Sequence, residues 1–388
     1  MKRVLLLIPD FMGTIASLSF TLYRAFKKVP GIEPFVVIMD TENTEKREYK
    51  NDDHVMVLSQ SKNKSLIGHL KNRIKQVKIL RCLKKDLHIN LSVSTLLGCN
   101  VWNVLSKGED ICIGLFHTRL SQRKYDGRIS YLLSLFAYKF ILCRLDAFFA
   151  VCMNARDDLR HFFPNADIQL VYNIHDISNV KYLSQEPIVE EKIIFAKPVI
   201  LFVGSLYRYI KAPDRLLRAF AIAKKKLPTD CNLVFIGSDP ENCINQLLMQ
   251  VKKEGCEDNV FFLGRKNNPY KYMRACSLLV SPSRDEGLPG VLIESLILGK
   301  KVVATNSSTG VWEIMQCEQN YRKDLSEIYE TKFGLITPNN LQNEDFTIQK
   351  LAEAIVLCYQ KNFPCIKSFD EERFSEQFII SKYLQYLR

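Results

Sequence analysis

Along most of this chain, short runs of apolar and β-branched residues alternate with longer stretches of helical period. The runs VLLLIP (4–9), PFVVIM (34–39), HVMVLS (54–59), INLSVS (89–94), ICIGLF (111–116), AFFAVC (147–152) and IQLVYN (168–173) form a first set. VILFVGS (199–205), NLVFIGS (232–238), NVFFLG (259–264), SLLVSPS (277–283) and KVVATN (301–306) form a second. Most are apolar along their whole length, as strands of a parallel sheet covered on both faces must be. Helical patterns at 15–28, 66–85 and 129–144, then at 212–227, 241–254, 269–275 and 290–299, fill gaps between them. The expectation is an α/β protein of two doubly wound domains in tandem. The stretch 176–196 loses the rhythm and turns acidic, so the boundary is set there, with domains at 1–184 and 185–369. The tail 370–388 repeats apolar residues at Phe374, Phe378, Ile379, Tyr383 and Leu387 and reads as one helix.

A length of 388 residues suits two domains. With 47% apolar and 25% charged residues, disordered and low-complexity classes are excluded. The longest apolar segment, Ile129 to Cys143, contains Lys139 and is shorter than the roughly 20 residues a spanning helix needs. The opening VLLLI is closed by Pro9 and Asp10 and reads as a buried strand rather than a signal peptide. The 12 cysteines include no C-x-x-C pair, so free buried thiols in a reducing cytosol are expected.

Charge is uneven. Residues 1–185 carry 27 Lys/Arg against 17 Asp/Glu, whereas residues 186–388 carry 27 against 25. An anionic partner for the first half follows, either nucleic acid or a membrane surface. No recognition-helix or aromatic–basic RNA pattern supports nucleic acid. From His54 to Lys85 there are nine Lys/Arg and no Asp/Glu, with Ile67, Leu70, Ile74, Val77 and Leu80 at helical spacing. That pattern suits an anionic membrane surface, and it equally suits a helix whose stripe packs on the sheet.

Two segments carry candidate chemistry. In SPSRDEGLPGVLIESLILGKKVVATNSSTGVWEI (281–314) a strand leads through a loop with Gly287 and Pro289 into an apolar helix. Glu286 stands before that helix and Glu294 inside it, with seven residues between. Backbone amides from Gly290 through Val291 to Leu292 would be free donors for a phosphate. Glu294, two turns on, could meet a sugar hydroxyl pair such as a ribose diol. A plain Gly/Pro-rich loop fits the same pattern. In FVGSLYRYIKAPDRLLRAF (202–220), Arg208 and Lys211 precede an amphipathic helix. Cations oppose the dipole of a helix start, which makes sense beside an anionic ligand. A solvated basic loop is the alternative.

Taken together the segments resemble family-4 glycosyltransferases, retaining enzymes of the GT-B fold. EGLPGVLIE matches the family's glutamate pair, and KKVVATNSSTGVWEI resembles its "G-x-P-V-V-A-T-x…G…E-I" stretch. FVGSLYRYIKAPDRLLRAF resembles "V-G-R-L-x-x-x-K-G…L-I-x-A-F". Further matches are RLDAFFAVCMNARDDL (144–159), VYNIHDI (171–177) and NPYKYMRACSLLVSPSRDEGLP (268–289), so the likeness runs nearly unbroken from about residue 144 to 315.

The resemblance implies two Rossmann-like domains facing a central cleft, an N-terminal acceptor domain and a C-terminal donor domain, with the final helix crossing back to the first. It implies sugar transfer from a nucleotide sugar, UDP-linked, to an acceptor hydroxyl with anomeric retention. Glu294 then binds the ribose, Glu286 the donor sugar hydroxyls and Lys211 the diphosphate. His117, at the end of the fifth strand, faces the donor sugar, and Gly13 lets a backbone amide approach the phosphate. Arg208, Ser205, Gly287, Gly290, Val291, Leu292 and Arg265 complete the donor set. Ser205 replaces the family's Arg, Ala212 the Gly after the Lys, and Met12-Gly13 the usual glycine pair. No D-x-D pair appears, so no metal or other cofactor is expected. The implied acceptor is a lipid-linked oligosaccharide of capsule, O-antigen or lipopolysaccharide, at the inner face of the cytoplasmic membrane. A non-hydrolysing nucleotide-sugar epimerase and a silent nucleotide-sugar-binding scaffold are the competing readings.

Overall fold

The computed structural model describes residues 1–11, 13–39, 52–58, 66–121, 128–228, 230–361, 363, 366 and 368–387, with backbone alone for 66–71, 128 and 129. It forms two compact units, Met1–His175 with Glu372–Arg388, and Asp176–Glu371. The first contains β1 (Lys2–Ile8), α1 (Gly13–Lys27), β2 (Ile32–Ile38), β3 (Val55–Val57), α2 (Leu66–Asp86), β4 (Leu91–Thr95), α3 (Leu96–Leu105), β5 (Ile111–Phe116), α4 (Arg128–Phe140), β6 (Ala147–Ala150), α5 (Met153–Phe162) and β7 (Ile168–Leu170). The second contains α6 (Ile177–Leu183), α7 (Lys192–Phe195), β8 (Val199–Val203), α8 (Arg208–Lys211), α9 (Pro213–Ala223), β9 (Asn232–Ile236), α10 (Ile244–Lys253), β10 (Val260–Phe262), α11 (Tyr270–Ala275) and β11 (Leu278–Ser281). It continues with α12 (Gly290–Ile297), β12 (Val302–Thr305), α13 (Thr309–Ile314), β13 (Tyr329–Glu330), β14 (Gly334–Thr337) and α14 (Glu344–Gln360). The chain then returns to the first unit as α15 (Glu376–Leu384).

Each unit is built on one seven-stranded sheet, ordered β3-β2-β1-β4-β5-β6-β7 and β10-β9-β8-β11-β12-β14-β13. All pairings are parallel except β13 with β14. The central strands are buried throughout, which is why their sequences are apolar without alternation. The units part at His175–Asp176, earlier than the expected 184/185, because α6 packs on α11 and α12 of the second unit. The final helix packs on α1, with Phe26 and Tyr383 in edge contact at 5.7 Å and Lys28 bridging Glu376 at 2.6 Å.

The basic stretch before Lys85 behaves differently from its expected stripe. Residues 59–65, and the side chains of Ile67, Leu70 and Lys71, lie outside the described residues. On the rest of α2 the inward line is Gln76, Leu80 and Lys84, while Ile74 is half exposed. Lys84 is no surface cation. Its Nζ lies 2.8 Å from Asp110, both side chains almost fully buried, and it also donates to Asn103 at 2.6 Å. Ser92 donates to the same Asp110 oxygen, so the buried charges are paired and hydrogen-bonded as burial demands.

No described helix is long and apolar enough to cross a membrane. Eleven cysteines are described, all free; nine are buried, and Cys82 and Cys143 are exposed. Cys365 lies outside the described residues.

Candidate active site

In the second sheet β8 and β11 are neighbours, but the chain leaves β8 toward β9 and β11 toward β12, in opposite directions. Loops that diverge from adjacent parallel strands open a crevice, and ligands of such sheets bind there. The loop after β8 passes Gly204 and Ser205 into α8. A Cβ on Gly237 would lie 1.8 Å from the Gly204 carbonyl oxygen, so only glycine lets the ends of β8 and β9 approach this closely. The short helix α8 ends at Lys211, and Ala212 turns the chain with φ +49° into α9, which starts on Pro213. This left-handed turn explains why a glycine suits position 212, the residue type of the family pattern.

The loop after β11 is clamped onto that turn. Arg284 donates its backbone N–H to the Ile210 carbonyl at 2.8 Å and its guanidinium to the Arg208 carbonyl at 2.7 Å. The same guanidinium donates to Glu344. Arg215, fully buried, donates to Glu344 at 2.6 Å, to Asn339 at 2.9 Å and to the Pro282 carbonyl at 3.0 Å. Burial opposes the charge on Glu344, but Arg215 and Arg284 outweigh it and hold the carboxyl below its ordinary range. Sequence reasoning missed all three clamp residues.

Within this frame Lys211 and Glu286 meet, Nζ to Oε1 at 2.6 Å, both partly buried. Ser283 donates to the same oxygen at 2.7 Å. Glu286 is followed by Gly287, whose carbonyl takes the Ser308 hydroxyl at 2.9 Å and faces Gly310 so closely that a Cβ there would lie 2.1 Å away. Gly290 and Val291 then open α12, where an α-helix offers its first amides no internal acceptor. Leu292 corrects the expectation of three free amides, since its N–H donates to the Pro289 carbonyl at 3.1 Å. Glu294, inside α12, receives the Tyr270 hydroxyl at 3.4 Å. Burial pushes its carboxyl up to about 7, with the Tyr270 hydrogen bond pulling weakly the other way. A carboxyl raised by burial is suited to a ligand that brings hydroxyls, since donors to the charged form draw its value back down.

The structure places the remaining predicted residues less centrally. The Arg208 guanidinium turns toward α10, 2.8 Å from Gln246 and 3.8 Å from Asp214. Ser205 Oγ lies 3.1 Å from Ser238 Oγ. Arg265 is exposed after β10, next to Gly264, whose carbonyl accepts from Gly237 at 3.0 Å. Among the described residues no three His, Cys, Asp or Glu side chains converge as a metal site would require.

Gly13 and His117 belong to the first unit, which has its own divergence point between β1 and β4. Gly13 opens α1 with φ +79°, and Leu96 opens α3 beside it in the sheet order with φ +64°. His117 follows β5 and lines a small cavity with Ser19, Tyr172, Asn173 and Tyr383. Burial pushes its imidazole down to about 4, against a hydrogen bond with Asn173, so the ring is neutral near pH 7. Its Nε2 is buried without a protein partner among the described residues.

Two doubly wound units, each with loops diverging at its sheet's switch point, define the GT-B class of α/β proteins. The whole chain aligns with Anabaena HepE, solved in complex with UDP and glucose, at a TM-score of 0.73 and 17% identity, covering 100% of this chain and 99% of that one. Residues 197–357 match the family model of glycosyl transferases group 1. An uncharacterized glycosyltransferase of Methanocaldococcus jannaschii is 27% identical over 278 residues, which is 69% of this chain and 67% of the archaeal protein. The N-acetylgalactosamine-N,N'-diacetylbacillosaminyl-diphospho-undecaprenol 4-alpha-N-acetylgalactosaminyltransferase of Campylobacter jejuni is 34% identical over 166 residues, 42% of each chain. These likenesses give the GT-B fold for the chain and place a stretch similar to glycosyl transferases group 1 within the second unit.

Proposed function

We propose that the chain is a retaining transferase of the family-4 type. It moves a hexose or N-acetylhexosamine from a UDP-sugar to a lipid-linked oligosaccharide, in the building of capsule, O-antigen or lipopolysaccharide. It works peripherally at the inner face of the cytoplasmic membrane. The observation that carries this reading is the Lys211–Glu286 pair, 2.6 Å apart at the β8/β11 crevice beside the start of α12. The Campylobacter relative supports the acceptor class, since its name specifies a diphospho-undecaprenol-linked saccharide. UDP in the Anabaena complex supports the nucleotide.

In the unliganded site each member of the pair neutralises the other. A nucleotide-sugar diphosphate, with more charge than one carboxylate, takes over Lys211 and the Gly290 and Val291 amides, which frees Glu286 for the sugar hydroxyls. As the bond from the anomeric carbon to the phosphate oxygen breaks, negative charge grows on the diphosphate, and Lys211 stabilises it where it develops. The acceptor oxygen bonds to the same face of the anomeric carbon, and its proton passes to the departing phosphate oxygen. The products are UDP and the extended saccharide, and no enzymatic base or metal ion takes part. His117, neutral at working pH, serves the donor sugar as a hydrogen-bond partner rather than as a charge.

The test is a panel of UDP-, GDP- and ADP-sugars, each with and without a saccharide diphosphate-lipid acceptor, scored for nucleoside diphosphate release and for the anomer formed. Acceptor-dependent release from UDP-sugars with retained configuration, in EDTA, is expected. Inversion, a different nucleotide preference or activity restored only by a divalent ion would each remove the corresponding part of the proposal.

A further inference from the structure

In the first unit α2, α3 and α4 connect β3 to β4, β4 to β5 and β5 to β6. All three crossings run in one direction across the parallel sheet. Right-handed crossovers put such helices on the same face. The helix α1 crosses the other way and packs with α15.

This three-helix face carries apolar side chains that the core does not use. On α4, Leu132, Leu133, Phe136 and Phe140 are 64%, 66%, 59% and 53% exposed. Their spacing gathers them on one side of the helix. On α2, Ile74 and Ile79 are 50% and 40% exposed. Between α2 and α3 lies a groove of about 370 Å³ floored by Ile74, Val77, Trp102 and Leu105. Arg73, Lys78 and Arg81 form its rim, and among the described residues no carboxylate lines it. The Arg73 guanidinium lies 4.4 Å above the Trp102 ring, and Arg81 donates to the Leu105 carbonyl at 2.8 Å. Both contacts hold the cations over the apolar floor. Lys75 and Lys85 on α2, Lys139 near the end of α4 and Arg144 just beyond it are further exposed cations of this unit.

Exposed apolar groups gathered in this number on one face of a sheet mark an interaction surface. Apolar side chains interleaved with cations match a phospholipid leaflet, whose headgroup phosphates meet the cations while the acyl boundary takes the apolar groups. The half of the chain that bears this face also holds most of the excess charge, 27 Lys/Arg against 17 Asp/Glu over residues 1–185. We propose that the α2–α3–α4 face docks on an anionic phospholipid bilayer. Leu132, Leu133, Phe136 and Phe140 enter the headgroup–acyl boundary, and Arg73, Lys78 and Arg81 hold a headgroup phosphate at the mouth of the groove. The inference rests on the membrane-facing part of the proposed function and names its surface.

Trp102 and Trp312 are the two tryptophans, and Trp312 is fully buried in the second unit. Trp102 is therefore a built-in reporter with an internal control. The full chain is mixed with vesicles of phosphatidylcholine alone or with phosphatidylglycerol, with and without brominated acyl chains. Binding to the phosphatidylglycerol vesicles, with bromolipid quenching that disappears in Trp102→Phe, is expected. Lys78→Gln with Arg81→Gln should weaken vesicle binding at least tenfold at low salt. Leu133→Ser with Phe136→Ser should remove the binding that survives high salt. Equal binding to neutral vesicles, a bound protein with unquenched Trp102, wild-type binding by both variants, or absence of binding would each overturn the proposal. So would a dimer in solution, free of vesicles, that the α4 variant dissociates. Sugar transfer to a soluble acceptor is measured in parallel and should be unchanged in both variants. Wild-type protein that transfers sugar without binding vesicles condemns the docking face alone, and wild-type protein that binds vesicles without transferring sugar condemns the enzymatic reading alone.

Discussion

Glu294 offers a test in which chemistry and stability move in opposite directions. Burial raises its carboxyl to about 7 in the unliganded site. A ribose diol donating to the carboxylate favours the charged form, so binding should draw the value back toward the ordinary carboxylate range. At pH 8 the group is already ionised. At pH 6, one unit below its free value, about nine in ten copies carry a proton that binding must expel, and UDP affinity should fall about tenfold from this group alone. The assay is calorimetric titration of UDP at pH 6, 7 and 8 in buffers of different ionisation heat, which counts the protons released. In Glu294→Gln the contribution vanishes, and affinity at pH 8 drops by about 1.5–3 kcal/mol. The nucleotide's own titration is common to both proteins and cancels in the comparison. Stability runs the other way. A carboxyl whose folded value lies above its unfolded one contributes fully below about 4.5 and loses that contribution as pH rises through about 7. Glu294→Gln should therefore stabilise the protein at pH 8, by at most about 3 kcal/mol, and hardly at pH 4.5. Identical proton release by wild type and variant would refute the reasoning, whatever the change in affinity.

Lys211→Ala should lower turnover by a factor on the order of 10², because diphosphate charge grows in the transition state, and full turnover with only a raised KM would limit Lys211 to holding the donor. Ala212→Gly should raise stability by about 0.5–1 kcal/mol, since relief of the left-handed turn exceeds the added freedom of the unfolded chain; denaturant titration with no gain would contradict the strain at φ +49°. Lys84→Met should cost about 3–5 kcal/mol by leaving Asp110 buried and unpaired, and Lys84→Met with Asp110→Leu should recover most of it. A single variant as stable as wild type would mean that water reaches the pair.

The strands were legible because strands covered on both faces are apolar nearly end to end, and each of the expected runs overlaps one. The pair β13 and β14 escaped notice, being two and four residues long. The helix α14 was missed although Ile348, Leu351, Ile355 and Cys358 form a buried stripe, because no preceding apolar run announced it. The stripe of α2 was only partly legible for a chemical reason: Leu80 is buried as a stripe member should be, but the rest of the described inward line is Gln76 and Lys84, which count as polar in any pattern. At the site, Lys211 and Glu286 could be found because each sits in a short segment with its own resemblance. The clamp of Arg215, Arg284 and Glu344 had no such segment, since its members come from three distant loops and helices and each reads locally as a surface charge.

The second unit is a single continuous stretch, Asp176–Glu371, inserted between the two pieces of the first. Synthesis from the N-terminus therefore delivers every residue of the second unit before the first has its last helix. At His175 the chain departs, and at Ser375 it comes back to bridge that same residue, with the His175 N–H on the Phe374 carbonyl at 2.9 Å. Until that closure, Phe26 and Phe149 lack the Tyr383 ring that covers them. The nascent first unit must wait on the ribosome with an open apolar slot while its neighbour folds whole. A stop codon a few residues before Glu376 would then leave the group 1 region folded and the first unit exposed to proteases.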